Sequence, residues 1–334
     1  MGDKSAISWT DASWNPVIGC THVSRGCDAC YARELHNQRY LAWKRGRMPT
    51  APVQYHQPFK VVQLKPERLS LPLRWRKPRR IFVNSMSDLF HEDVPDEFIA
   101  AVFTVAALAP RHTFQILTKR PERMRRWFER VAAEDGWWWL GRAASEWLDV
   151  PDLARRGLIV SSYEGAPAEE IHFDPGEPWP LPNVWLGVSV EDQERADQRI
   201  PILIDTPAAV RFLSCEPLLD ELSLAEWLDI SAQCWPCTAD LTPDLSGRTD
   251  GGWSLKPDPI TGIRSWRPAL DWIICGGESG PRRRPMELDW ARRLRDQCDE
   301  SGVAFWFKQE SALRPGQGET LDGRTWHEFP RTAA

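Results

Sequence analysis

The sequence predicts an α/β protein, a full or partial (β/α) barrel with two irregular insertions. Three observations predict it. Short apolar runs alternate with stretches of helical spacing, which implies right-handed crossovers and a parallel sheet. Polar side chains follow the apolar runs, on the face of a barrel where active sites are built. Three cysteines, Cys20, Cys27 and Cys30, stand at C-x6-C-x2-C ahead of the first such unit.

At 334 residues the chain is long enough for one large barrel-type domain or two ordinary ones. Hydrophobic residues make up 42% and charged residues 27%, a globular composition rather than a disordered one. The net charge of −5 argues against electrostatic capture of nucleic acid by the chain as a whole, and leaves room for a local basic patch. No apolar run approaches the roughly 18 residues of a membrane span, so no membrane association is expected. The N-terminal Met-Gly-Asp-Lys-Ser lacks the apolar core of a signal peptide. Eight cysteines then read as reduced thiols, metal ligands or redox groups rather than a disulfide framework. The expected location is the cytoplasm. Tryptophan is abundant, 19 residues, and serves either core filling or nucleobase stacking.

Taken in order, residues 31–45 read as a helix that starts directly after the cysteine loop. A basic, proline-punctuated stretch, Leu73-Arg-Trp-Arg-Lys-Pro-Arg-Arg80, leads into the strand Ile81-Phe-Val-Asn84. Residues 96–109 are apolar at helical spacing, 113–117 form the next strand, and 122–131 are helical. From about 132 to 182 the pattern dissolves into Trp, Pro, Gly and acid, the first insertion. It resumes at Val184-Trp-Leu-Gly-Val-Ser-Val190 with a charged helix from Glu191, then the strand 211–216. A second insertion covers about 227 to 268. The strand 272–277, the helix 288–301 and the strand 303–307 complete six units. Residues 1–310 are thus expected as a single barrel, with 311–334 as a C-terminal tail. No repeat of 20–50 residues suggests a solenoid.

The candidate chemistry lies at the strand ends: Ser85, Ser87 and Asp88, then Thr118 and Lys119, Ser189 and Glu191, Ser214 and Glu216, and Glu278 with Ser279. Singly, each has a plainer use. Ser87 or Asp88 suits a helix N-cap, Lys119 a solvated cation, and Glu191 a helix dipole. Together they make a convergent polar set, because groups gathered in this way must find partners or ligands. Three thiols are one too few for closed structural zinc, and leave one coordination position open, on zinc or on a cubane iron–sulfur cluster. Cys234-Trp-Pro-Cys237 is either half of a zinc site or a pair of free thiols. Cys215, Cys275 and Cys298 sit in apolar surroundings and read as small buried residues. His91 either reaches the polar set or is a structural loop histidine. Basic residues with aromatics occur at 74–80, at 119–130 and at Arg282, Arg283 and Arg284. These are either solvated faces or phosphate contacts.

The three-cysteine loop followed by a (β/α) barrel resembles the radical S-adenosylmethionine (SAM) superfamily. The usual spacing there is C-x3-C-x2-C. The six-residue gap between Cys20 and Cys27 departs from it, whereas Cys27-Asp-Ala-Cys30-Tyr31 fits. Asn84-Ser-Met-Ser-Asp88, Leu117-Thr-Lys119 and Gly187-Val-Ser-Val190 resemble strand ends of the spore photoproduct lyase branch. Trp14-Asn-Pro-x-x-Gly-Cys20, Phe212-Leu-Ser-Cys-Glu-Pro-Leu-Leu219, Gly276-Gly-Glu-Ser-Gly280, Arg284-Pro-Met286 and Phe305-x-Phe-Lys-Gln309 resemble a phage and prophage three-Cys-motif family of unknown function.

This resemblance implies a barrel of the radical SAM type in which Cys20, Cys27 and Cys30 ligate a [4Fe–4S] cluster. SAM would bind its open iron and yield a 5′-deoxyadenosyl radical, with flavodoxin or ferredoxin as electron donor. Ser85, Ser87 and Asp88 would contact the SAM amino group or ribose, and Lys119 and Glu191 its carboxylate or ribose. Tyr31 would pack on the adenine, with Ser189, Glu216 and Glu278 as further cofactor-binding residues. The likeness to the photoproduct lyase branch implies modification or repair of a nucleic acid or nucleotide, gripped by Arg282, Arg283 and Arg284. It also implies a three-Cys-motif partner protein and, for a phage-encoded chain, the host cytoplasm. The alternative is a non-catalytic nucleic-acid- or partner-binding phage protein whose cysteines hold structural zinc.

Overall fold

The strand that begins the sheet is one the sequence hides. In the computed structural model, which describes residues 5–133, 136–159, 171, 179–228, 253–257 and 264–331, β1 is Ala12–Trp14. It pairs in parallel with β4, and Trp14 lies opposite Val83. Asp11 fixes this register, because its carboxylate takes the Arg80 backbone N–H at 2.8 Å and the guanidinium at 2.9 and 3.1 Å. A three-residue Ala-Ser-Trp segment has no apolar run to announce it. Its pairing partner and the buried Trp14, whose indole N–H reaches Arg68 O at 2.8 Å, supply what the sequence pattern lacks.

The described residues fall into two compact units: Met1–Val23, Cys30–Trp185 and Pro207–Ala209 in the first, and Ser24–Ala29, Leu186–Thr206 and Val210–Ala334 in the second. In the first unit β1 is followed by β2 (Val17–Ile18), α1 (Tyr31–Lys44), β3 (Gln63–Leu64), α2 (Leu71–Arg74), β4 (Arg80–Val83), α3 (Asp96–Ala107), β5 (Thr113–Thr118) and α4 (Pro121–Ala133). β2 and β3 pair antiparallel, and β4 and β5 pair in parallel from Arg80↔Thr113 to Val83↔Ile116. Helix α3 is buried continuously from Phe98 to Ala106, as expected of a helix with almost no polar face.

Part of the first insertion is ordered, against the irregular reading. It contains α5 (Trp137–Ser145) and α6 (Val150–Arg155). The triple tryptophan blurs the helical period, yet Trp139, Leu140, Ala143 and Ala144 lie on one buried face, and α5 packs on α3. Asp149 caps α6 by accepting the Asp152 N–H at 2.9 Å.

The second unit takes up β6 (Val184–Ser189), then α7 (Gln193–Asp205), β7 (Val210–Cys215), α8 (Ala225–Leu228), β8 (Trp253–Pro257), β9 (Arg264–Pro268), β10 (Trp272–Gly276), α9 (Leu288–Ser301) and β11 (Ala304–Gln309). β10 runs parallel to both β7 and β11. The second insertion holds a hairpin, with β8 and β9 paired antiparallel. Cys234 and Cys237 lie outside the described residues. Residues beyond 311 pack back on β11. Phe307 N–H donates to Trp326 O at 2.8 Å, and Trp306 stacks on His327 at 3.9 Å between ring centres.

The hydrogen-bonded order β1-β4-β5-β6-β7-β10-β11 keeps the chain order, the progression that a (β/α) barrel uses. The protein is α/β, with a seven-stranded sheet of the kind a partial (β/α) barrel uses. No helix among the described residues is long and apolar enough to cross a membrane.

One glycine sets the tightest packing in the second unit. A Cβ on Gly187 of β6 would stand 2.5 Å from the ring of Phe212 on β7, which is fully buried. Gly187→Ala is therefore expected to lower the unfolding free energy by about 1–3 kcal/mol through overpacking. Urea denaturation measures this, and an unchanged midpoint would refute the constraint.

Candidate functional site

The strand ends of the first unit are organised by a buried carboxylate. Asp88 follows β4, and its two oxygens accept four donors. These are the Phe90 N–H (3.0 Å), the Thr118 hydroxyl (2.8 Å), the Lys119 N–H (3.0 Å) and Arg120 Nη1 (3.2 Å). Neither Asp88 nor Ser87 caps a helix, because the next helix begins at Asp96 behind Pro95. Asp88 closes a turn and fastens the end of β5 to the end of β4. Its acceptor capacity is filled, so its evident product is the placement of Arg120.

Arg120 carries that placement to the cysteine loop. Its Nη1 lies 3.5 Å from Cys20 Sγ, its Nη2 donates to Thr21 Oγ1 at 2.8 Å, and its Nε meets Glu92 at 3.2 Å. Burial opposes the guanidinium charge, but Asp88, Cys20 and Glu92 outweigh it and raise the Arg120 pKa. A guanidinium beside a sulfur favours the thiolate over the thiol. His91 joins the same cluster as a neutral ring. Nδ1 accepts the Asp93 N–H at 3.1 Å, so Nε2 carries the proton that meets Thr21 Oγ1 at 2.8 Å. Burial lowers its pKa, first among the causes.

Tyr31 makes the second tie of this unit. It directly follows Cys30, the residue before α1, and its hydroxyl donates to Ser85 O at 2.6 Å. Ser85 Oγ donates to Asn15 Oδ1 at 3.2 Å, and Ser87 Oγ to Val17 O at 2.8 Å. Asn84 takes a left-handed conformation (φ 63°), which asparagine tolerates, and receives the Val17 N–H on its Oδ1 at 3.3 Å.

In the second unit the turn 24–29 carries Cys27 and is held by two carboxylate–arginine pairs. Glu191 is completely buried, accepts the Gly26 N–H at 3.3 Å, and meets Arg199 Nη1 at 3.0 Å. Arg199 also donates to Ser189 O at 2.7 Å. A Cβ on Gly26 would come within 3.1 Å of the Glu191 carboxylate, so glycine gives the backbone its close approach. Glu191 does not open helix α7, because the N-cap is Asp192, which accepts the Arg195 N–H at 3.0 Å.

Glu278 forms the second pair. It takes the Arg284 backbone N–H at 2.7 Å and Nε at 3.1 Å, and contacts Nη2 as well. Arg284 then reaches Asp28 at 3.2 Å and Arg25 O at 2.9 Å. The hydrogen bond that Arg284 donates to Glu278 is the first cause of the raised Arg284 pKa. The three consecutive arginines are held differently. Arg284 is engaged by carboxylates, Arg283 donates to Gly280 O at 3.3 Å, and Arg282 is exposed. Glu216 pairs with Lys308 Nζ at 2.5 Å.

The expected residues thus assemble as two polar clusters, one per unit, and most act as holders of the cysteine-bearing segments. Arg120, Arg199 and Lys308 were not among them. The available signal was charge balance: Asp88 and Glu191 are buried and Glu216 is half-buried at strand ends, and such acids call for cations. Cys20, Cys27 and Cys30 are half-buried and not disulfide-bonded, whereas Cys215, Cys275 and Cys298 are fully buried with pKa values raised first of all by burial. Among the described residues no three Cys, His, Asp or Glu side chains are gathered as a ready metal-ligand group.

A family model described as "Protein of unknown function (DUF5131)" matches residues 4–330, and the chain belongs to that family. No curated protein and no solved structure matches the chain.

The Asp88 and Arg120 side chains are 7% and 10% exposed. Asp88→Ala and Arg120→Ala are each expected to cost about 3–5 kcal/mol, because each strands a buried charge. The double variant should cost less than the sum of the two, which a urea-denaturation mutant cycle measures. Strict additivity would mean that the pair does not act as a unit.

Proposed function

We propose that this member of the family is an iron–sulfur enzyme of the radical SAM type, acting on a nucleic acid or nucleotide. One observation carries the reading: each of the three cysteines lies on a segment tied to polar groups at the strand ends. Arg120, fixed by Asp88, faces Cys20. The pairs Glu191–Arg199 and Glu278–Arg284 hold the turn of Cys27. Tyr31 anchors the chain just after Cys30 to Ser85. A loop needed only for chain reversal has no use for this many buried charges.

The donor set fits an iron–sulfur group by its chemistry. It has three half-buried thiols outside any disulfide, with a guanidinium directed at one sulfur. Cys20, Cys27 and Cys30 would hold a [4Fe–4S] cluster, which when bound supplies one-electron reduction of the SAM sulfonium. The protein's own share is positioning. Arg120 holds positive charge at Cys20, lowers the cost of a thiolate and keeps Thr21 in place. Asp88 directs Arg120 and keeps it charged. Glu191 binds the Gly26 N–H and so fixes the approach of the turn, and Arg284 closes that turn against Asp28. Lys119 follows β5 in the first unit, and Glu216 follows β7 in the second.

Anaerobic reconstitution with iron and sulfide tests the reading. The expected product is brown, with about four irons and four sulfides per chain, and cleaves SAM when reduced with dithionite. Cys20→Ala, Cys27→Ala and Cys30→Ala should each abolish cluster formation, and Cys298→Ala should not. A colourless, zinc-loaded protein that leaves SAM intact would replace this reading with a non-catalytic protein built around structural zinc.

A further inference from the structure

The first unit carries a second concentration of charge that the strand-end clusters do not use. Residues 31–80 contain 13 Lys and Arg against 2 acids, in a chain whose net charge is −5. The densest part is the strap 74–79, between α2 and β4. It lies at the N-terminal ends of β4 and β5, whereas Asp88 and Arg120 follow their C-terminal ends.

The strap is a built surface. Arg111, just ahead of β5, donates to Trp75 O at 2.8 Å and to Leu73 O at 3.1 Å. Arg156, just after α6, donates to the same Leu73 O at 3.0 Å. Arg79 lies over the Trp75 ring at 4.8 Å, and His112 meets that ring edge-on at 6.1 Å. Burial, followed by the charge of Arg111 and, more weakly, that of Arg79, holds the His112 pKa down, so no proton is added to the positive field there. Asp11 is occupied with Arg80, and Asp152 with Arg155 and Arg156. Arg74, Arg76 and Lys77 are exposed and, among the described residues, pair with no carboxylate. Like charges gathered without counter-charge destabilise the fold unless an anion meets them.

We propose that the strap 74–79, with Arg111 and Arg156, is a phosphate-backbone binding surface for nucleic acid, separate from Arg282 and Arg283. The inference rests on the nucleic-acid reading above and gives that partner a location. Guanidinium groups outnumber ammonium groups five to one here, and the planar fork suits phosphate oxygens bidentately. The Trp75 ring, with Arg79 stacked on it, adds the aromatic–cation pair that single strands use. The contacts go to backbone phosphates, so binding is sequence-tolerant and strongly salt-dependent.

Fluorescence anisotropy with labelled single-stranded and duplex oligonucleotides tests this, using the full chain as purified. The variant Arg74→Gln/Arg76→Gln/Lys77→Gln should bind at least about tenfold more weakly at about 50 mM salt. The slope of log K against log salt should fall by about two to three, one per lost phosphate contact. All three positions are exposed, and circular dichroism with a thermal melt verifies the fold of the variant. Arg282→Gln/Arg283→Gln should retain most of the affinity. Equal affinity and slope for the triple variant and the wild type would overturn the proposal. So would binding to anionic phospholipid vesicles or polyglutamate without binding to any oligonucleotide. Binding is read without a cluster, so a colourless protein that still binds through the strap would sink the enzyme reading alone.

Discussion

A carboxylate removed from water must be met by donors, and that constraint organises this protein from the strand ends outward. Asp88, Glu191 and Glu278 lie behind β4, β6 and β10 with little or no exposure. Each is answered by an arginine from elsewhere in its own unit, and by backbone N–H groups. An isolated buried charge would cost several kcal/mol, whereas a paired and hydrogen-bonded one is tolerated. The pairs therefore do more than decorate the sheet. Each brings a distant segment to a fixed place, and the segments brought in carry Cys20, Cys27 and their neighbours.

The sheet was legible wherever burial produced runs. β4, β5, β6, β7, β10 and β11 each contain three or more apolar residues in succession or close to it, and their sequence pattern marks all six within a residue or two. β1 was not, because Ala-Ser-Trp gains its strand identity from pairing with β4 and from the Asp11–Arg80 tie rather than from local preference. The helix α5 was hidden for the opposite reason. Three adjacent tryptophans swamp the period, although only the face through Trp139 and Leu140 is buried. Boundaries moved where a cap decided them, as at Asp192, which delays α7 past Glu191.

The candidate site was legible in composition and not in wiring. The acids and hydroxyls at the strand ends could be named from their place after apolar runs. Their partners could not, since Arg120 and Arg199 look like any other arginine in a charged segment and Arg284 reads as a phosphate contact. Pairing is a property of three-dimensional proximity, and one sequence does not encode which cation meets which anion. Asp88, Ser87 and Tyr31 are engaged with the protein itself. Arg120 is the side chain seen to meet Cys20.

The bond between Arg284 and Asp28 joins residues 256 positions apart. During synthesis the turn that bears Cys27 emerges long before Arg284, and this fastening exists only once that residue has been made. Closing so long a loop adds little entropy cost over closing one half as long, because the penalty grows with the logarithm of length. The delay is kinetic rather than energetic, as for other pairings of high sequence separation. Cys20 and Cys30 gain their ties from residues made within the first 120 positions. The loop thus matures in two stages, and its middle thiol is the last to be secured. A group held by all three cysteines would meet a fully fastened loop only once Arg284 has been made.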